Sequence, residues 1–363
     1  MPRPMIMETD DTPSTIPPDP PRQRRRRWPW VMGGLTVAAI IGSFFIPVPY
    51  LLFAPGSARS VSDRITIGDG KGFDDSGEVL FLTVSEQEAT VATAVWAWVD
   101  DTVDSVPIED VRTGTAEEDR VENQARMDES KFVATSLALS KVGYEVKETG
   151  TGAFVDRLLD GFPAKELIRQ GEVITAVDGA AVAVSSDLRS ALAGRPVGTE
   201  VELTLREPDG TVRTQQVMLG MNPEDTSRGF LGLVSQTADR DLLLPFPIEF
   251  ETGRVTGPSA GLAFTLGLVD RLTDGDLTSG RVTAVTGTID AAGNVGPIGG
   301  IAQKAVAALD AQATLMLYPA ATSAEDVVRV RGIVGDRIEL HAVATLDEAL
   351  AVLAPNGLPT ARK

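Results

Sequence analysis

The 363-residue chain contains no cysteine and a single histidine, His341. The absence of cysteine excludes disulfide bonds, thiolate nucleophiles and cysteine-ligated zinc or iron–sulfur clusters. A single histidine excludes a multi-histidine metal centre, so a serine nucleophile would have to use His341 or a base of another residue type. We therefore expect neither a metal centre nor another cofactor.

Basic residues are also scarce, with 33 lysines and arginines against 51 aspartates and glutamates and a net charge of −18. A protein this acidic repels phosphate backbones, so no nucleic-acid partner is expected. A chain of this length can form two or three folded units, each with its own core.

Charged side chains are absent from residues 28–58. The apolar stretch 28–54 can supply the ~20 residues of a membrane-spanning helix, and the four arginines before it predict a cytoplasmic N-terminus. A cleaved signal peptide is the alternative. We thus predict a cell-membrane protein with a retained single-pass anchor and an extracytoplasmic catalytic domain. Residues 1–27, rich in Pro, Asp, Thr and Arg, are predicted to be a disordered cytoplasmic tail.

Residues 59–142 alternate strand-like and helix-like segments, and we expect this α/β segment to pack against the C-terminal domain. The pattern at 78–84 is typical of a strand. The sequence Ser-Glu-Gln-Glu at 85–88 matches a capping box, which predicts a helix from there to about Val99.

The stretch 143–220 differs, because its short strands are joined by Gly, Pro and Asp turns. Its segment 161–182, GFPAKELIRQGEVITAVDGAAV, resembles the core signature of a PDZ module. The resemblance implies that an extended peptide adds to an exposed strand edge beside a helix. The alternative is a module that only spaces the other domains. The PDZ resemblance also implies that four residues line the peptide groove: Gly143, Tyr144, Glu145 and Val146.

Residues 230–355 alternate predicted strands and helices. Among them, the segment Gly-Pro-Ser-Ala-Gly at 257–261 contains a candidate nucleophile. Ser259 precedes an apolar helix, whose dipole and free amides can stabilise an oxyanion while small neighbours admit a substrate backbone. We expect this substrate and oxyanion loop to comprise Gly257, Pro258, Ala260 and Gly261. The alternative is that Ser259 is an ordinary helix cap.

A serine nucleophile needs a base, and Lys304 is the candidate. His341 lies in a predicted strand, whereas Lys304 is surrounded in sequence by Ile301, Ala305 and further apolar residues. If this face packs inward, desolvation lowers the lysine pKa and yields the neutral amine that a general base requires. The alternative is a surface lysine with an exposed ammonium group.

These residues match a family pattern. Ser259 in GPSAG, the pair Thr286-Gly287, and GPIGG at 296–300 followed by Lys304 resemble the Ser-Lys proteolytic domain of Lon proteases over about 230–355. The resemblance implies that Ser259 is the nucleophile, Lys304 its general base and Thr286 a hydroxyl that orients the lysine amine. It also implies protein or peptide substrates and a possible homo-oligomer, a hexamer.

The order of predicted parts resembles membrane-anchored bacterial PDZ-containing Lon-like proteases. No GxxxxGK[ST] motif occurs in the sequence, so we expect ATP-independent cleavage of unfolded or flexible substrates. The predicted fold class is multidomain α+β, with an N-terminal transmembrane helix, a PDZ-like β-rich module and a C-terminal Lon-type α/β proteolytic domain. The alternatives are a non-enzymatic membrane-anchored PDZ adaptor and a protease limited to self-processing.

Overall fold

A computed structural model describes residues 28–68, 77–112, 114–223, 225–253 and 255–361. The tail predicted to be disordered, residues 1–27, lies outside the described residues. The helices of the described residues are α1 Trp28–Ser43, α2 Val91–Ala97, α3 Ile108–Val111, α4 Ala116–Lys141, α5 Ala164–Leu167, α6 Ser185–Leu192, α7 Gly261–Leu272, α8 Ile301–Asp310, α9 Ala324–Val334 and α10 Leu346–Leu353.

Short 3-10 turns cover Ser62–Arg64 and Pro258–Ala260. The strands of the described residues are β1 Pro47–Ser60, β2 Ile65–Ile67, β3 Glu78–Thr90, β4 Asp104–Pro107, β5 Lys147–Thr149, β6 Ala153–Leu158, β7 Val173–Val177, β8 Ala180–Ala181, β9 Glu200–Arg206, β10 Val212–Met218, β11 Gly220–Met221, β12 Gly229–Phe230, β13 Leu233–Thr237, β14 Asp241–Leu243, β15 Ile248–Phe250, β16 Thr273–Asp274, β17 Val282–Val285, β18 Thr288–Ile289, β19 Val295–Gly296, β20 Leu315–Pro319, β21 Glu339–Val343 and β22 Thr360–Ala361.

The predicted transmembrane helix is wrong. The stretch 28–54 divides into α1, with 16 residues, and the first half of β1. A helix of that length rises about 24 Å, less than the ~30 Å of a bilayer core. Among the described residues, no helix combines the length and the apolar character needed to cross a membrane. The fold class is therefore corrected to a mixed α/β fold, and the predicted single-pass cell-membrane localisation is overturned with it.

The physical reason lies in β1, which uses the second half of the apolar stretch. Leu51 and Leu52 are fully buried, and their backbones pair with β3 on one side and β4 on the other. Pro47 and Pro49 lack the N–H that would continue a helix, which favours the change to a strand. The uncharged run is thus partly the interior of a sheet rather than one long helix.

One large sheet combines strands from the N-terminal and C-terminal parts of the described chain. Its strand order is β21-β20-β17-β3-β1-β4. Strands β21, β20, β17 and β3 are parallel neighbours, and β1 is antiparallel to β3 and β4. Alternate residues of β3 face opposite layers: Phe81 packs in the cluster that contains α7, and Leu82 packs in the cluster that contains α8. The segment 59–142 thus completes the sheet of the C-terminal part.

The helix predicted to begin at Ser85 is also wrong. Residues 85–90 continue β3 and pair with β1, and the helix α2 begins at Val91, capped by Thr90 together with Thr93. Pairing along the length of β1 outweighs the local capping signal, because each added pair satisfies backbone groups across the sheet.

A second sheet has the order β10-β9-β7-β6-β13, with β8 beside β7, and encloses its own core. Its last strand, β13, lies beyond the predicted module boundary at residue 220 and pairs with β6. Val155, Ile174 and Leu203 are buried in this core and are separate from the clusters around α7 and α8.

Candidate active site

A cavity of ≈ 980 Å³ lies where strands β1, β3 and β4 meet α4, the turn before α7 and the start of α8. Ser259 and Lys304 both line it. Of the other predicted site residues in this region, three also line the cavity: Gly257, Pro258 and Ala260. A pocket of this size can hold a stretch of peptide.

Ser259 lies in the 3-10 turn that precedes α7. Gly257 starts the turn with φ 90°, a value that favours glycine, and Pro258 occupies the first helical position. The N-cap residues of the 3-10 turn and of α7 are Gly257 and Ala260, and neither helix has a side-chain cap bond. The alternative that Ser259 is the helix cap is therefore wrong.

Helix α4 holds the serine turn from one side. The Gly257 amide donates to the Asn123 carbonyl oxygen at 3.1 Å, and Ser130 Oγ donates to the Pro258 carbonyl oxygen at 3.2 Å. A Cβ on Gly261 would lie 2.5 Å from Ser130 Oγ, so only glycine allows this approach. Gly261 is thus a packing residue directly behind the turn.

The segment at the end of β17 holds the same turn from the other side. The Gly287 amide donates to the Ser259 carbonyl oxygen at 3.0 Å, and the Leu262 amide donates to the Gly287 carbonyl oxygen at 3.1 Å. Thr286 is fully buried, and its hydroxyl lies 3.4 Å from the Ser259 carbonyl oxygen. Its predicted role, orienting the lysine amine, stays a prediction.

Lys304 is buried in α8, with 3% of its surface exposed. The helix begins at Ile301, after Gly300, whose φ of 65° lets the chain turn close to Val84. It packs against β1 and β3. Burial lowers the Lys304 pKa to about 7, and its Nζ has no ion-pair partner among the described residues. The alternative of an exposed surface lysine is therefore wrong, and at neutral pH a large fraction of this amine is unprotonated.

His341 lies on the edge strand β21, where its Nε2 is 2.6 Å from Glu339 Oε1, and it is not among the residues that line the cavity. Within the described residues, no group of three or more His, Asp or Glu side chains could hold a metal ion. Of the two proposed bases, Lys304 and His341, the cavity therefore contains Lys304.

The predicted peptide-groove residues leave α4 in a turn that precedes β5. Gly143 has φ 84°, and the Tyr144 ring packs edge-on against Phe246 with centroids 5.3 Å apart. Tyr144 and Val146 pack against the core cluster that contains α7, while Glu145 is exposed. The peptide-binding role of these four residues stays a prediction.

Sequence reasoning missed the cavity residues from 59–142. Arg112 forms ion pairs with Glu86 at 2.8 Å, Glu88 at 2.9 Å and Asp119 at 3.3 Å, and Arg59 lines the same space. These side chains belong to no local motif. Sheet pairing and the packing of α4 bring them together, so no signal along the sequence could have indicated them.

Comparisons with known proteins support the assignment of the C-terminal part. Residues 251–355 match the Lon protease (S16) C-terminal proteolytic domain. A Lon protease of Koribacter versatilis is 38% identical over 105 residues, which cover 28% of this chain and 12% of that protein. A Lon protease of Phenylobacterium zucineum is 36% identical over 148 residues, covering 37% of this chain and 18% of that protein.

The predicted resemblance to the Lon proteolytic domain is thus confirmed for residues 251–355, which are similar to a serine-type peptidase domain. The chain spans only 12% to 18% of the length of these two relatives. A solved PDZ domain of an SdrC-like protein from Listeria monocytogenes matches 24% of this chain and 90% of its own, with 22% identity and a TM-score of 0.22. A counterpart from Listeria innocua has 18% identity and a TM-score of 0.22, covering 23% of this chain and 92% of its own.

Proposed function

We propose that this chain is an ATP-independent serine endopeptidase that cleaves unfolded or flexible protein segments with a Ser259–Lys304 dyad. The observation that carries the proposal is a buried lysine with a pKa near 7 in the same cavity as a serine before a helix, within a Lon-type proteolytic domain. The sequence lacks the GxxxxGK[ST] motif of a P-loop, which favours independence from ATP.

In the proposed mechanism, the neutral Lys304 amine takes the Ser259 hydroxyl proton as the oxygen attacks the scissile carbonyl carbon. Backbone amides of the turn at 257–261 and the start of α7 stabilise the oxyanion. Lys304 then gives its proton to the leaving amine, and water hydrolyses the acyl-enzyme. Thr286 and Gly287 keep the serine backbone in place through its carbonyl oxygen.

The PDZ-like module is proposed to recruit or gate substrates. Support comes from the contacts of α4, which lies between the module and the serine turn. Arg240, after β13, forms an ion pair with Glu129 of α4 at 2.7 Å, and its guanidinium stacks 3.8 Å above the Phe132 ring. The same helix contacts Gly257 through Asn123, six residues before Glu129, and Pro258 through Ser130, directly after Glu129. A shift of the module could thus reach the turn.

The test is hydrolysis of a fluorescently labelled unfolded protein by the purified full chain without nucleotide. We expect cleavage that Ser259→Ala abolishes and that the surface control Ser186→Ala leaves unchanged. Intact-mass spectrometry of the same samples detects self-cleavage. Cleavage by Ser259→Ala at the wild-type rate contradicts the proposed nucleophile, whereas truncation of the chain without hydrolysis of the added protein contradicts the proposed substrate range.

A further inference from the structure

The cavity contains one guanidinium group, that of Arg59, for which the described residues supply no carboxylate partner. Of the arginines that line it, Arg112 has three ion pairs and Arg120 is paired with Glu117 at 2.8 Å. Arg59 is half-buried, and among the described residues the single hydrogen bond of its side chain runs from Nε to Ser57 Oγ at 3.0 Å. Its Nη1 and Nη2 nitrogens are thus available to a bound molecule.

A bulge in β1 fixes the position of this arginine. The register between β1 and β3 shifts between Pro55 and Ala58. There the Ser57 amide donates to Thr83 Oγ1 at 2.9 Å, and Thr83 Oγ1 donates to the Ser57 carbonyl oxygen at 3.0 Å. A Cβ on Gly56 would lie 2.4 Å from the Thr83 carbonyl oxygen, so the bulge requires glycine. Bulges beside active sites re-aim side chains, and this one holds the Arg59 guanidinium through Ser57.

The free edge of the guanidinium has a defined chemistry. With Nε bound to Ser57, the four N–H groups of Nη1 and Nη2 remain, and this end can bind a carboxylate with two parallel hydrogen bonds. The acidic groups that line the cavity are already engaged: Glu86 and Asp119 pair with Arg112, and Asp104 pairs with Arg329. No described carboxylate of the cavity competes for Arg59.

We propose that Arg59 is a specificity-determining residue that binds a carboxylate of the substrate, so that the cavity selects segments with an acidic side chain or a free C-terminus. This inference rests on the proposed function, because it names the substrate class for the same cavity. Burial alone lowers the Lys304 pKa, without a contribution from Arg59. Replacing Arg59 therefore leaves the proton acceptor unchanged.

The experiment measures peptide binding to the full chain in a Ser259→Ala background by fluorescence anisotropy. One arm uses a neutral, C-terminally amidated flexible peptide in which a single Glu or Gln is moved through successive positions. The other arm compares the free C-terminus with the amidated one. We expect one carboxylate position to tighten binding about tenfold, the effect of one charge-assisted hydrogen-bonded pair. The arm in which this occurs identifies the source of the carboxylate.

Arg59→Gln is expected to remove this preference while the affinity for the neutral peptide stays unchanged, and Arg59→Lys is expected to retain part of it. The matched control is Arg120→Gln, which removes a charge from the same cavity but leaves the preference. The inference is overturned if Arg59→Gln keeps the preference, if Arg120→Gln removes it equally, or if no peptide binds. Hydrolysis by the Ser259 protein is measured separately, so loss of the proposed function is distinguishable from loss of selectivity.

Discussion

Two buried ionisable side chains, one in each sheet-containing unit, have opposite surroundings. Glu172, just before β7, has 1% of its side chain exposed and accepts hydrogen bonds from Arg213 Nη2 at 2.7 and 2.9 Å. The backbone amide of Arg169 donates to the same carboxylate at 2.8 Å. Lys304 is equally inaccessible but has no counterion among the described residues.

The difference indicates what each group does. A buried charge with a full set of partners holds strands and loops together, since removing one partner leaves the other uncompensated. A buried lysine without a counterion adds nothing to stability as an ammonium and instead becomes a neutral base. The comparison thus separates a structural ion pair from a reactive group without reference to any motif.

The largest expected effect is that of Lys304→Met, which keeps the volume of the side chain and removes its amine. We expect hydrolysis of unfolded protein to fall about 10³-fold or more, because the serine loses its base. The fold should be as stable as the wild type or more so at neutral pH, since no charge remains to be desolvated. The measurements are initial rates and urea denaturation, with Lys147→Met on an exposed lysine as control. Activity within tenfold of the wild type contradicts the assignment of Lys304.

The pH dependence gives the next largest effect. With a Lys304 pKa of about 7, kcat/KM should rise about tenfold per pH unit below pH 7 and level off above it. For stability the sign is the same: between pH 7 and 10.5 the unfolded lysine binds a proton that the folded one lacks. Wild-type stability relative to Lys304→Met should therefore rise by about 1.4 kcal/mol per pH unit in this window. A difference between the two proteins that does not change with pH contradicts the lowered pKa.

The sequence predicted the surroundings of Lys304 and Ser259 much better than it predicted the ion pair between Glu172 and Arg213. The glycines around Ser259 and the apolar neighbours of Lys304 lie close to them in the chain, so a local pattern indicates the turn, the helix and the burial. Arg213 and Glu172 belong to different strands and loops, and their pairing depends on how the second sheet closes. Arg59, likewise, enters the cavity only because β1 joins the sheet of the C-terminal domain.

The same reasoning explains the errors at the N-terminal end. Hydropathy measures the apolar length of 28–54 but does not separate a spanning helix from a helix followed by a buried strand. The division follows from the pairing of β1 with β3, which is remote in sequence. Because of the same pairing, residues 85–88, which match a capping box in sequence, belong to strand β3. In both places a non-local partner decided the local conformation.

Glu172→Gln tests whether the ion pair between Glu172 and Arg213 has a structural role. The substitution leaves the Arg213 guanidinium without its main counterion, although Glu207 remains 3.3 Å from Arg213 Nε. We expect a loss of about 2 kcal/mol in the free energy of unfolding of the module formed by the second sheet, with no change in the pH profile of hydrolysis. Hydrogen exchange resolves the module from the rest of the chain. Glu200→Gln on an exposed site is the control, and an unchanged exchange rate around β7 and β10 contradicts the structural role.

Arg213→Lys should have the smallest effect and sharpens the comparison further. Lysine keeps the positive charge beside Glu172 but cannot reproduce the bidentate hydrogen bonds or the contact from Arg213 Nη2 to the Leu167 carbonyl oxygen at 3.1 Å. We expect a loss of about 1 kcal/mol in the stability of the module, roughly half that of Glu172→Gln. Arg189→Lys, on an exposed arginine of α6, should change nothing. If Arg213→Lys lowers the stability of the module as much as Glu172→Gln does, hydrogen-bond geometry rather than charge stabilises the Glu172–Arg213 pair. In that case Glu172 differs from Lys304 in the geometry of its hydrogen-bond partners and not in the presence of a counterion alone.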